Sequence, residues 1–411
     1  VGSEMCIRDR LYIRTVLLFT RSHFWDRLLV AKDGKMPHLK LYLHLKDLLL
    51  SLYKTNSLPK HLIVTLAMML TGLFLGRHVQ LWQIAVWVPL NIRLLSIVRR
   101  FERWVADPAV ETAKFFRPFV LAMQASLGNE TAYLLIDCTQ AGKKCRTLLI
   151  GLAYHGTVLP IVWKTVKGNK GHVTGELHRT LLEQVYPLFR YHRRVVVLGD
   201  AEFSNEKVIG WLLKVKWDFV LRFQSSYLLQ TTAGGVWQST QLLYQAANLQ
   251  PGQVCHWAGV TFTQSHQFAD LNVTVQWAEG EDEVICLVST LPASEQPHVI
   301  YEMRYWIETL FGNHKSRGFQ LARTHMTNPE HIDRLVLVLA IATCLTLGLG
   351  TYLILIQETH QVDRADRRDL SLFQIGWRWL FRLLALNRLH EYKMVFSWDF
   401  KLPPAGFQPA T

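Results

Sequence analysis

Between residues 301 and 315, in YEMRYWIETLFGNHK, a phenol, a guanidinium, a carboxylate and an ammonium recur at spacings that one helix face could gather. At about 100° per residue, Tyr301, Arg304, Glu308 and Lys315 would share a sector of roughly 60°. Such a stripe suits a site that holds a divalent metal and a phosphate chain together. The carboxylate would take the metal, and Arg and Lys would take phosphate oxygens. The plainer reading is an amphipathic helix with solvated charges, because Trp306, Ile307, Leu310 and Phe311 supply an apolar face. The segment alone leaves both readings open.

Two further carboxylates close apolar runs upstream. TAYLLID (131–137) reads as a strand ending at Asp137, and RRVVVLGD (193–200) as a β-branched strand ending at Asp200. Either aspartate alone is more simply a turn residue at the end of a strand. Between them lie two more strand patterns, RTLLIGLAY (146–154) and VLPIVWKTV (158–166), and a helical one, VTGELHRTLLEQVYPLF (173–189). A helix from Ser204 to Lys214 and a strand WDFVLRF (217–223) follow. The order β-β-β-α-β-α-β is that of an RNase H-like core, in which the first and fourth strands are neighbours. Asp137 and Asp200 would then lie side by side, with Glu308 on a facing helix completing three carboxylates. Two magnesium ions held by such a set would clamp the attacking and leaving oxygens of a phosphoryl transfer.

The elements around this core divide the chain by pattern. Residues 1–36 have no clear assignment, and VGSEMCIRDR (1–10) looks like a translated adaptor rather than native sequence. Residues 37–125 read as helices. In 77–105 the cations Arg77, Arg93, Arg99, Arg100 and Arg103 alternate with apolar faces, and Pro89 with Asn91 makes a break. A helical hairpin presenting Arg99, Arg100 and Arg103 to duplex DNA and a bundle with solvated arginines both fit that pattern. The first part of the core spans 126–223, a β-rich insertion 224–296, and the second part with C-terminal helices 297–392, including a basic amphipathic helix at 367–392. The Pro-containing tail, 393–411, is expected to be disordered.

Composition narrows the partners. Lys and Arg outnumber Asp and Glu by 45 to 32, a net charge of +13, which favours a polyanion. Lys143, Lys144, Lys164, Lys167 and Lys170 would face a DNA backbone or form a solvated basic edge. The six cysteines, Cys6, Cys138, Cys145, Cys255, Cys286 and Cys344, lack metal-binding spacing and read as reduced thiols of a cytoplasmic protein. No signal-peptide layout is expected at the N-terminus. The run 62–75 is too short to span a bilayer, whereas 335–356 carries no charge and is long enough. That second run is either a membrane span or a core helix covered on all sides, and the core helix is favoured.

Asp137 in LLIDCTQ, Asp200 in VLGDAEF and the pattern Y-x2-R-x3-E-x6-K at Tyr301, Arg304, Glu308 and Lys315 resemble the DDE transposases of the insertion-sequence-four family. The resemblance covers roughly residues 40–390, including the β-rich insertion before the glutamate. It implies a prokaryotic cut-and-paste transposase acting on DNA in the cytoplasm, with no membrane association. Asp137, Asp200 and Glu308 would bind two Mg2+ ions, with Mn2+ tolerated, and Tyr301, Arg304 and Lys315 would contact phosphates at the transposon end. Hydrolytic nicking, closure of a hairpin by the freed 3′-OH, reopening by water and strand transfer would follow. Partners would be double-stranded DNA, inverted-repeat ends and target DNA, and a homodimer is expected because two ends must be synapsed. A flipped base at the hairpin needs a stacking surface, for which Trp237, Trp257 and Trp277 are candidates or else structural residues. His314, His325 and His331 are read as phosphate-contacting or surface residues. One departure stands out: the family often has Asp-Arg-x-Phe/Tyr where this chain has Asp200-Ala201-Glu202-Phe203. The alternatives are an RNase H-like nuclease that cuts without joining, and a catalytically silent DNA-binding relic.

Overall fold

The computed structural model describes residues 37–55, 58–168, 173–315 and 317–402. Cys6, Lys170, the segment 1–36 and the end of the tail lie outside the described residues. Five helices come first: α1 (Pro37–Leu52), α2 (Lys60–Gly76), α3 (Leu81–Val86), α4 (Leu94–Ala106) and α5 (Thr112–Leu127). Then follow β1 (Ala132–Gln140), β2 (Cys145–Tyr154), β3 (Thr157–Lys167), α6 (Gly175–Phe189), β4 (Val195–Gly199), α7 (Glu206–Val215) and β5 (Asp218–Phe223). The next stretch holds β6 (Leu228–Gln230), β7 (Gln238–Ser239), α8 (Thr240–Ala246), β8 (Val254–Phe262), β9 (Phe268–Gln276) and β10 (Ile285–Ser289). Helices α9 (Pro297–Glu302), α10 (Trp306–His314), α11 (Pro329–Leu355) and α12 (Leu372–Ala385) close the chain. The described residues form two compact units, one within 129–311 and one of those between 37 and 128 together with those from 312 to 402.

The 129–311 unit is built on one mixed sheet in the order β3-β2-β1-β4-β5-β10-β9-β8-β6-β7. β4, VVVLG, is buried along its whole length, as suits a central strand flanked by parallel neighbours β1 and β5. Helix α6 starts with the Thr174 side chain accepting from the Leu177 amide and buries Leu181, Leu182, Val185 and Phe189. Asn205 caps α7 in the same way. Each large aliphatic side chain removed from water on these faces contributes about 1.5–3 kcal/mol. The stretch 224–296 is not a separate lobe: its last strand, β10, pairs antiparallel with β5, so β6 to β10 extend the same sheet.

Two local expectations need correction. β1 does not end at Asp137 but runs to Gln140, because it stays paired with β2 over Asp137↔Leu149 to Gln140↔Arg146. Strand pairing therefore carries CTQ as strand beyond the point where the hydrophobic pattern stops. Nor is 301–315 one continuous α-helix. A single 3-10 turn, Met303–Tyr305, separates α9 from α10, so the four residues do not share one regular stripe.

In the other unit, α11 is the one helix among the described residues long and apolar enough to cross a membrane. It is covered by α12, α5, α4 and α2, so the uncharged run lies in a helical core. Backbones meet at Gly376: a Cβ there would lie 1.9 Å from the Thr346 carbonyl oxygen, which only glycine permits. Buried Arg334 of α11 donates to the Val105 oxygen at 2.9 Å, a carbonyl of the last turn of α4, and to the Val110 oxygen at 3.2 Å in the connection that follows. The basic helix expected over 367–392 is shorter, α12 alone, started by a capping box between Ser371 and Gln374.

Candidate active site

Register brings the two aspartates together. β1 and β4 are parallel and their last paired residues are Ile136↔Gly199, so Asp137 and Asp200 are the next residues on adjacent chains. There the two chains part: β1 continues beside β2, whereas the chain leaves β4 into a 3-10 turn at Ala201–Phe203. Gly199 keeps that exit narrow, since a Cβ would stand 3.0 Å from both Ile136 Cγ2 and Phe203 Cβ.

The two carboxylates are held alike. Asp137 Oδ1 accepts from the Cys138 amide at 2.6 Å, and Asp200 Oδ1 accepts from the Ala201 amide at 2.8 Å. The second oxygen of each faces Arg304, whose Nη2 donates to Asp137 Oδ2 at 3.4 Å and to Asp200 Oδ2 at 3.1 Å. Arg304 Nη1 donates to Glu308 Oε1 at 2.6 Å, one helical turn further along. Three carboxylates from three separate segments thus meet on one guanidinium. Arg304 and Asp137 are nearly buried, with side-chain exposures of 11% and 15%, whereas Glu308 is 55% exposed. The Arg304 Nε is buried without a hydrogen-bond partner.

Electrostatics reflect this crowding. Burial pushes the Asp137 carboxyl up to about 6; Arg304 and the Cys138 amide oppose the rise, and Asp200 and Glu202 add to it. Burial works against the charge on Arg304, but Asp137 and Asp200 outweigh it and hold the guanidinium above its ordinary value. The Tyr301 phenol is raised by burial and by the neighbouring Asp200.

The other expected site residues are distributed as follows. Tyr301 is 3% exposed, so its phenol is a buried neighbour of Asp200 rather than an open contact. Lys315, just past α10, belongs to the helical unit. On α4, Arg99 and Arg103 are exposed, while Arg100 is engaged, its Nε donating to Thr65 Oγ1 at 2.8 Å. Trp237, Trp257 and Trp277 are half-buried on or beside β7, β8 and β9, separated from β4 by β5 and β10. The Trp277 Nε1 donates to the Glu281 oxygen at 2.8 Å. His325 is exposed, but His314 is neither a phosphate contact nor a surface residue. It is buried on the inner side of α10, with Nε2 at 3.0 Å from Thr343 Oγ1, and burial lowers its pKa to about 3. Sequence reasoning passed over Glu202, whose charge acts on Asp137. Its signal was present in Asp200-Ala201-Glu202, an acid two residues after another in a tight turn.

All-oxygen carboxylates suit a hard divalent cation such as Mg2+. Among the described residues, however, no group of three His, Cys, Asp or Glu side chains is gathered closely enough to hold a metal. The guanidinium is the cation on which the carboxylates converge.

Residues 128–345, more than half of the 411-residue chain, match the family model described as a transposase DDE domain. Among solved structures, a piggyBac transposase synaptic complex with hairpin DNA, determined by cryo-EM, is similar at 12% identity. The alignment covers 93% of this chain and 81% of that one, with a TM-score of 0.41. No curated protein matches the sequence.

Proposed function

The chain belongs to the transposase DDE domain family, and on that premise we propose that it is a Mg2+-dependent cut-and-paste transposase of the insertion-sequence-four type. The strands β3-β2-β1-β4-β5 would be an RNase H-like core, and Asp137, Asp200 and Glu308 its catalytic carboxylates. The observation that carries this reading is the convergence of those three side chains, from β1, from the exit of β4 and from α10, on one cationic centre.

Asp137 Oδ2, Asp200 Oδ2 and a Glu308 oxygen would hold the divalent ions. Once bound, those ions would supply Lewis-acid stabilisation of the charge that develops on the phosphodiester and activate the attacking hydroxyl. The chain's own residues supply position. The Cys138 and Ala201 amides fix one oxygen of each aspartate and so aim the other oxygen at the shared centre. Glu308, exposed at the rim, is the carboxylate best able to shift as DNA enters. Arg304 and Lys315 would take phosphates of the transposon end, and Tyr301 would act from its buried position by orienting its neighbours. Nicking, hairpin closure with a base stacked on Trp237, Trp257 or Trp277, and strand transfer would follow, with a homodimer pairing two inverted-repeat ends. Arg99 and Arg103 are the members of the helical region's arginine set left to face duplex DNA, Arg100 being held by Thr65 and His61.

The test is cleavage of a labelled duplex carrying the element's end. Asp137→Ala, Asp200→Ala and Glu308→Ala should each lower Mg2+-dependent cleavage by at least about a thousandfold, the scale on which catalytic groups act. End-binding by gel shift should remain. Appreciable cleavage by any one of the three variants removes that residue from the set.

A further inference from the structure

We propose that Arg304 is the site's built-in counter-cation, holding the carboxylates together in the metal-free protein and yielding its place when a divalent ion binds. This rests on the reading of Asp137, Asp200 and Glu308 as the metal-holding set.

Three observations carry it. First, each aspartate is anchored by one oxygen to the next backbone amide, so its orientation does not depend on the cation. Second, the oxygens left over, Asp137 Oδ2, Asp200 Oδ2 and Glu308 Oε1, are the ones that Arg304 engages. A hard ion and the guanidinium therefore compete for the same carboxylate oxygens. Third, the buried Nε of Arg304 finds no hydrogen-bond partner, so part of the guanidinium's donor capacity stays unmet in this position. Its backbone lies in the 3-10 turn between α9 and α10, outside regular α-helix, and its Nη1 arm reaches Glu308 at the exposed rim. Without Arg304 the nearly buried Asp137 and the partly exposed Asp200 would face each other, with Glu202 nearby, and no cation between them. Displacement leaves Arg304 with its donors open, which suits a phosphate oxygen.

The experiment uses the full chain, stripped with EDTA and titrated with Mn2+, with free Mn2+ followed by electron paramagnetic resonance and thermal melting recorded in parallel. Arg304→Gln should bind Mn2+ at least about tenfold more tightly than the unaltered chain, the scale of one like charge removed from beside the ion. Metal-free Arg304→Gln should also melt at a lower temperature, and saturating Mn2+ should close that gap. Arg304→Lys, which keeps the charge but cannot bridge three carboxylates, should fall between, and serves if Arg304→Gln does not fold. Equal or weaker Mn2+ binding by Arg304→Gln, or by Arg304→Lys in its place, overturns the proposal. Mn2+ binding unchanged by Asp200→Asn would overturn the carboxylate reading beneath it, a result distinct from the first.

Discussion

Asp137→Asn should make the metal-free protein more stable at neutral pH, and the gain should depend on pH in a defined way. The Asp137 carboxyl rises from 3.8 to about 6 on folding, chiefly because it is buried. A folded-state pKa above the unfolded one means that the native state binds the extra proton. The associated stability is present below the unfolded value, is lost as pH rises between about 4 and 6, and is gone above 6. The difference corresponds to about 3 kcal/mol at pH 7.5. Asparagine resembles the protonated acid in shape and carries no charge. It keeps an oxygen for the Cys138 amide and loses only the 3.4 Å contact with Arg304, which retains Asp200 and Glu308. A net gain of about 1–3 kcal/mol is expected at pH 7.5, shrinking to nothing near pH 4. Urea unfolding in EDTA, followed by tryptophan fluorescence at several values from pH 4 to 7.5, measures it. A gain that does not vary with pH, or an Asn variant less stable than the parent at pH 7.5, would show that burial of the Asp137 charge does not cost stability.

Two predictions concern the helical unit. His314 is buried and His44 is partly buried with its Nε2 enclosed, and desolvation lowers their pKa values to about 3 and about 4, so both stay neutral in the folded state while the unfolded chain titrates near 6.5. Their contribution is complete above pH 6.5 and is lost as pH falls, by about 2 kcal/mol each at pH 5; His314→Asn should flatten the acid limb of the stability curve, and an unchanged limb would contradict the assignment. Gly376→Ala should destabilise by about 1–3 kcal/mol through overpacking, because its Cβ would lie 1.9 Å from the Thr346 oxygen across the α11–α12 contact. An unaltered melting temperature would show that the helices do not meet there.

Much of the site was legible because its signals are local or follow from strand order. A β-branched run announced β4 and a short apolar run announced β5, and the order of elements set β1 beside β4, which placed Asp137 next to Asp200. What escaped depends on partners remote in sequence. The extension of β1 past Asp137 is stabilised by pairing with β2, which no property of CTQ announces. The charge pattern of 301–315 could not show the 3-10 turn that breaks its helix, nor that Arg304 would turn inward to acids more than 100 residues away. His314 looks like a surface residue in sequence and is buried because α10 packs it against Thr343. For the run 335–356, composition fitted both lipid and protein, and the helices that cover it come from segments remote in sequence, which no local pattern announces.

The most direct measurement is strand joining by the purified chain. A duplex bearing the element's end, labelled on the transferred strand, is incubated with supercoiled plasmid and Mg2+. Label should be covalently joined to plasmid DNA, dependent on Mg2+ and abolished in Asp137→Ala, Asp200→Ala and Glu308→Ala. Cleavage without joining, no reaction at all, or joining that persists in any of those variants would contradict the proposed function.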